Sequence, residues 1–235
     1  MENTLENSLV SPSPARKFSA RAALVDLHEN SRVLLSECFR QFGIESVPIT
    51  GERAERLASE KFEAVVVRVG SKVGPLLESA RRSRSNSRMV IYGLGGTVQE
   101  ALKLSPFGIN AIFHEPLERS SALKLVRSTQ MLVLHEFRRY ARIPIMTEVT
   151  VVSGDSHRLS ATSIDVSSGG MSLKSAEDMP SGTNVEISFS LLTLPRVTVR
   201  GAVTWRKPKS FGLRFDHADD RRHKVKEWID AYLEN

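Results

Sequence analysis

Short apolar runs at residues 22–27, 46–49, 64–69, 89–94 and 111–114 are separated by stretches in which apolar positions recur every three or four residues. The runs predict five strands, and the intervening stretches predict helices over 31–42, 52–61, 73–82 and 98–104, with a longer one from about residue 120. Strands alternating with helices are the signature of a parallel sheet covered on both faces, an α/β doubly wound domain. Val65, Val66 and Val67 form a continuous apolar stretch suited to a central strand buried on both sides. Between residues 120 and 140, Leu123, Val126, Gln130, Val133 and Phe137 fall at helical spacing, and Leu125, Leu132 and Leu134 widen the apolar face.

After Ile145 the period changes to two. Val149 and Val151, then Leu159, Ala161, Ser163 and Asp165, then Met171 and Leu173 alternate with their neighbours, and further strands are predicted over 185–189, 197–205 and 211–215. Turn signals at Ser153-Gly154-Asp155, Pro180-Ser181-Gly182 and Lys207-Pro208 separate these runs, which read as an antiparallel barrel or sandwich. A helix over 219–233 closes the chain, with Val225, Trp228, Ile229 and Leu233 on one face. Pro144 ends the preceding helix at or shortly before Ile143, because its ring fixes φ and lacks an N–H donor.

Composition divides the chain further. Residues 1–18 are rich in Ser, Asn and Pro and carry too few apolar side chains to order themselves, which predicts a flexible tail. A doubly wound domain over 19–130 and a β-domain over 131–235, including the end of the joining helix, account for the rest. Hydrophobic residues make up 40%, enough for two packed cores, yet no apolar run approaches the roughly 18 residues of a membrane span. Together with the lack of a signal-like N-terminus, this predicts a cytoplasmic location. The single cysteine, Cys38, has no internal disulfide partner and sits at helical spacing from Leu34 and Phe42, as a core residue would.

The formal charge of +6 is spread as +4 over residues 1–130, from 18 basic and 14 acidic side chains, and +2 over the remainder. Neither half is basic enough to require nucleic acid. Arg81, Arg82, Arg84 and Arg88 form the densest basic run, but no aromatic residue is interleaved for base stacking, and the run is expected to be a solvated loop. No HExxH motif, Cys/His cluster or nucleophile with a base at motif spacing occurs, so neither an enzyme nor a metal or cofactor site is expected. Gly93-Leu94-Gly95-Gly96 departs from a dinucleotide fingerprint, since Val98 stands where its third glycine would fall.

Residues 21–130 resemble the receiver domain of response regulators in their pattern of elements. Strand ends are where ligands act in such folds, and there the chain departs from the family. Asp26 keeps one acid after the first strand, Arg68 replaces the phospho-accepting aspartate, Tyr92-Gly93 lacks the hydroxyl residue, and Glu115-Pro116 replaces lysine. The resemblance implies a degenerate receiver, one that signals through protein contacts without phosphorylation. One acid is too few to hold magnesium well.

Two further stretches carry the main candidate chemistry. Arg138 and Arg142 lie four apart, so they would point the same way on a helical turn. Asp165, Ser167 and Gly170 bring a carboxylate, a hydroxyl and unhindered backbone into one turn. Guanidinium groups suit phosphates and the O6/N7 edge of guanine, and a carboxylate suits guanine's N1 and N2 donors.

As RxxxR followed by Ile143-Pro144, and DxSxxG at residues 165–170, these stretches resemble the two ligand motifs of the PilZ domain, a β-barrel family whose members bind cyclic di-GMP. The runs Gly201-Ala202-Val203-Thr204-Trp205 and Phe211-Gly212-Leu213-Arg214-Phe215 extend that likeness. It implies that Arg138 and Arg142 grip phosphates and guanine, that Asp165, Ser167 and Gly170 close on a base, and that Arg139 makes an auxiliary contact. It further implies an effector in which the ligand clamps the RxxxR segment onto the barrel and reorients the receiver-like domain toward an unidentified protein partner. A homodimer through the joining helix would be a second association. The rival reading is a protein-interaction adaptor that works without nucleotide.

Overall fold

The computed structural model describes residues 19–51, 55–70, 73–154 and 157–234. The tail expected at residues 1–18, and the start of the helix expected from residue 52, lie outside the described residues. Strands β1 (Ala20–Val25), β2 (Ile44–Ile49), β3 (Ala64–Arg68), β4 (Val90–Leu94) and β5 (Ile109–Phe113) form a parallel sheet in the order β2-β1-β3-β4-β5. This is a doubly wound order, and it makes the first half a receiver-like domain. The helices are α1 (Glu29–Arg40), α2 (Arg56–Ser59), α3 (Gly74–Arg82), α4 (Val98–Leu102) and α5 (Arg119–Tyr140).

Strand alternation sorts the sheet's side chains into two layers. Leu24, Val66 and Tyr92 face Cys38 and Phe39 of α1 and Val126 and Val133 of α5, while Val25, Val67 and Ile91 face Leu57 of α2 and Leu77 of α3. Cys38 is fully buried, and burial pushes its thiol pKa up, consistent with a packing residue. The Tyr92 hydroxyl lies 2.7 Å from Thr129 Oγ1, and burial raises its pKa to about 12.

Two local expectations are corrected. Within the basic run 81–88, Arg82, Arg84 and Arg88 are exposed, but Arg81 donates to the carbonyl oxygens of Ser87, Met89, Phe107 and Gly108. Asn86 is fully buried, accepting from Phe62 N–H at 2.9 Å and donating to the Leu57 and Glu60 carbonyls at 2.6 Å. The loop is therefore anchored rather than merely solvated, because buried backbone groups demand partners. On α5, Leu132 remains 49% exposed. Burial of Val126, Thr129, Val133 and Glu136 defines a narrower stripe, whose flank Leu132 occupies.

The second half is a closed antiparallel barrel. Strands β7 (Glu148–Ser153), β8 (Arg158–Ser167), β9 (Gly170–Lys174), β10 (Asn184–Leu191), β11 (Leu194–Lys207) and β12 (Ser210–Phe215) pair in the order β8-β7-β10-β11-β12-β9, and β9 pairs back onto β8. The two-residue β6 (Ile143–Pro144) extends the sheet on β8 beyond the end of β7. Helix α6 (Arg222–Glu234) buries Val225 and Ile229 against the barrel core. It begins three residues after the expected start at Asp219. That carboxylate, 4% exposed, accepts from the backbone N–H groups of Arg200 and Arg221 and from the Arg221 guanidinium.

Phe137, near the end of α5, packs on the receiver-like core, whereas Ile143 is buried in the barrel core. The connection between the two cores is therefore residues 138–142, which is the RxxxR segment itself.

Candidate functional site

Helix α5 ends at Tyr140, with Ala141 at φ −58°, ψ 129° turning the chain into β6. Ile143 pairs with Val166 and Pro144 with Asp165, so one step back along this antiparallel register brings Arg142 level with Ser167. Ser167 pairs with Gly170 across the β8–β9 hairpin, and Gly170 pairs with Arg214 of β12. Pairing alone thus carries the candidate residues in a row around the rim of the barrel.

Arg142 Nη1 donates to Asp165 Oδ1 at 2.7 Å and approaches Ser172 Oγ at 3.4 Å. Arg142 remains half exposed, leaving guanidinium edge free for a phosphate, whereas the Asp165 side chain is 24% exposed. Ser167 is 6% exposed and donates to the Gly170 carbonyl at 3.1 Å, so its hydroxyl fixes the hairpin turn. A Cβ added to Gly170 would overlap the Leu213 carbonyl oxygen, which explains why bare backbone stands at that strand crossing.

Arg138 and Arg142 do not point the same way. Because the helix stops between them, the i, i+4 relation lapses, and Arg138 Nη2 instead bonds Glu234 Oε1 of α6 at 2.9 Å. Arg139 turns back on its own helix, with Nη1 2.7 Å from Oε1 and 3.0 Å from Oε2 of the buried Glu136. The segment is thus tied residue by residue to different surroundings.

A cavity of about 350 Å³ opens here, at the small end of the range for ligand pockets. Arg139, Tyr140, Arg142, Ser167 and Gly170 form one side of it. Thr204, Trp205, Leu213 and Arg214 form the other, and none of these four was singled out as a site residue from sequence. Trp205 is 36% exposed, and its indole lies over Gly212, where a Cβ would overlap the ring. The pair Trp205–Gly212 is a cross-strand neighbour in the β11–β12 ladder. An aromatic residue opposite a glycine was the available signal. The cavity thus unites guanidinium donors, a carboxylate acceptor close by and an indole face, the set a purine and a phosphate use together.

At the strand ends of the receiver-like sheet the groups differ. Asp26 Oδ1 accepts from Gly51 N–H at 2.7 Å. Arg68 Nη2 contacts both carboxylate oxygens of Glu115, at 2.9 and 3.0 Å. Among the described residues, no group of three or more His, Cys, Asp or Glu is placed to hold a metal ion, and no helix is long and apolar enough to cross a membrane.

Residues 136–234 match the family model described as PilZ domain. Among solved structures, the PilZ domain of CeSA from a cellulose-synthesizing bacterium is 18% identical, covering 40% of this chain and 99% of that one, with a TM-score of 0.35. The chemotaxis response regulator CheY4 of Vibrio cholerae is 17% identical, covering 47% and 98%, with a TM-score of 0.42. The receiver domain of sensor histidine kinase PA1611 from Pseudomonas aeruginosa is 17% identical over 49% and 98%, with a TM-score of 0.41. No curated protein sequence matches the chain. With both motif stretches brought together on a closed six-stranded barrel, residues 136–234 are a PilZ domain, joined through α5 to a receiver-like domain.

Proposed function

We propose that the chain is a cyclic di-GMP effector with a binding rather than a catalytic role. The observation that carries this reading is the 2.7 Å contact of Arg142 with Asp165, 23 residues apart in sequence, at the mouth of a cavity that Ser167, Gly170 and Trp205 also shape. In this reading Arg142 binds a phosphate and the Hoogsteen edge of guanine, Asp165 accepts from guanine N1 and N2, and Trp205 offers a face to a base. Ser167 and Gly170 keep the hairpin tight enough for a base to lie against it. Arg139 is an auxiliary donor. Arg138 acts by leaving Glu234, its ion-pair partner at 2.9 Å, to meet the second phosphate.

The ligand acts as a clamp between the RxxxR segment and the barrel. Because residues 138–142 are also the connection between the two cores, tightening them changes the angle between the domains and the surface that the receiver-like domain offers to a protein partner. The driving force is the ligand's differential affinity for the clamped arrangement.

Calorimetric titration with cyclic di-GMP tests the reading. The protein should bind, and Arg142→Ala and Asp165→Ala should each lose about 1.5–3 kcal/mol, roughly 10- to 150-fold in Kd, as expected for a charge-assisted contact. No binding by the unsubstituted protein at tens of micromolar, or equal binding by the variants, refutes it.

A further inference from the structure

Tyr140 lies inside the RxxxR segment, lines the barrel-side cavity, and is nevertheless held by the receiver-like domain. Its hydroxyl donates to the Arg84 carbonyl at 3.1 Å, and Lys61 Nζ stands 4.2 Å from the centre of its ring. Lys61 is itself fixed, donating to the Ser85 carbonyl at 2.9 Å and lying 3.8 Å from Glu63 Oε1. Burial lowers the Lys61 pKa, as expected for an ammonium group removed from water.

The loop that receives Tyr140 is anchored at both ends: Ser83 Oγ donates to the Ala58 carbonyl at 3.1 Å, Asn86 donates to the Leu57 and Glu60 carbonyls, and Arg81 donates to the Ser87 and Met89 carbonyls. The neighbouring Arg139 is oriented by Glu136, which is only 6% exposed and lies close enough to influence the charges of Lys61 and Arg81. Contacts to the receiver-like domain and to the barrel therefore meet within five residues.

We infer that Lys61 and the loop 83–88 of the receiver-like domain form a seat that holds Tyr140, and through it positions the Arg139 and Arg142 guanidinium groups for an anionic ligand. The receiver-like domain thereby sets the affinity of a site whose side chains lie on the other domain. The inference rests on the cyclic di-GMP reading and names what regulates that site. Lys61 is a positioning residue, since it does not line the cavity. Reciprocity follows: whatever factor the seat adds to ligand affinity, the ligand adds to closure of the seat.

The test uses the full chain and cyclic di-GMP. Lys61→Met removes the cation and the donor at similar length, and Tyr140→Phe removes only the hydroxyl bond to Arg84 while keeping the ring. Each variant should bind about five- to tenfold more weakly than the unsubstituted protein, the scale of a modest coupling. Lys61→Arg should restore binding. Trypsin supplies a second readout, because Arg84 and Arg88 are exposed on the loop. Ligand should slow cleavage there in the unsubstituted protein and protect less in Lys61→Met. Undiminished affinity in both Lys61→Met and Tyr140→Phe overturns this inference alone. Absence of binding by the unsubstituted protein overturns the ligand reading and this one with it.

Discussion

Replacing Gly170 with alanine places a methyl group against the Leu213 carbonyl oxygen, nearer than the 3.0 Å closest approach real Cβ atoms make, with Arg214 Cα and the Leu213 carbonyl carbon each 3.2 Å away. All three atoms are backbone, so no side chain can swing aside, and β9 must move away from β12. Overpacking of this kind costs about 1–3 kcal/mol, and weakening a ladder hydrogen bond beside the Arg214–Gly170 pair adds about 0.5–1.5 kcal/mol. A total of about 1.5–4.5 kcal/mol corresponds to a fall in Tm of about 3–18 °C for a chain of this size. Gly169 is the internal control: a Cβ added there meets nothing within 4 Å, so Gly169→Ala should melt with the unsubstituted protein. Thermal unfolding by circular dichroism compares the two, and titration of cyclic di-GMP into Gly170→Ala should show at least about a tenfold weaker Kd, or about 1.4 kcal/mol, as the hairpin shifts. Equal melting of both alanine variants would refute the close-approach argument. Normal melting of Gly170→Ala with lost binding would point instead to direct contact between the ligand and that backbone.

Asp219→Ala strands the N–H groups of Arg200 and Arg221 and should cost about 2 kcal/mol in denaturant unfolding. The bond from Arg221, ahead of backbone N–H donors, holds the Asp219 carboxyl well below the usual carboxylate range. Its stabilisation is therefore complete above the unfolded value near pH 3.9 and is lost as pH falls toward the folded value, so the gap between Asp219→Ala and the unsubstituted protein should narrow below about pH 4. Because Arg68 occupies the acceptor position and is paired with Glu115, incubation with acetyl phosphate should leave the protein unlabelled by mass spectrometry, whereas stable label on Asp26 would contradict that reading.

Both folds were legible because their hydrophobic periods are long and differ in kind. Each strand of the parallel sheet falls within two residues of its apolar run, since side chains such as Val65, Val66 and Val67 are buried whichever face they take. Distinguishing barrel from sandwich was beyond periodicity, which fixes the faces of a strand but not whether β9 closes on β8. Spacing alone misplaces Arg138 because it assumes a continuous helix, and it is the tertiary pairing of Ile143 and Pro144 with β8 that draws the chain away after Tyr140. The strand neighbours of Arg214 in sequence give no hint of what lies across the rim, and the Trp205–Gly212 pairing becomes visible only once β11 and β12 are in register. The seat for Tyr140 is hidden in the same way: its partners are a carbonyl 56 residues away and a lysine that reads as surface charge.

Helix α5 spans 22 residues, about 33 Å at 1.5 Å per residue, and runs without a break from the edge of the parallel sheet to the arginine segment. A stiff rod of that length is a lever. Its buried stripe from Ala122 to Phe137 packs on the receiver-like core, so a tilt of about 5° pivoted at the arginine segment sweeps the far tip, and the domain packed along it, through about 3 Å, a distance comparable to a hydrogen bond. Under the clamp reading, small adjustments where Arg142 meets Asp165 would be geometrically amplified over the breadth of the neighbouring domain.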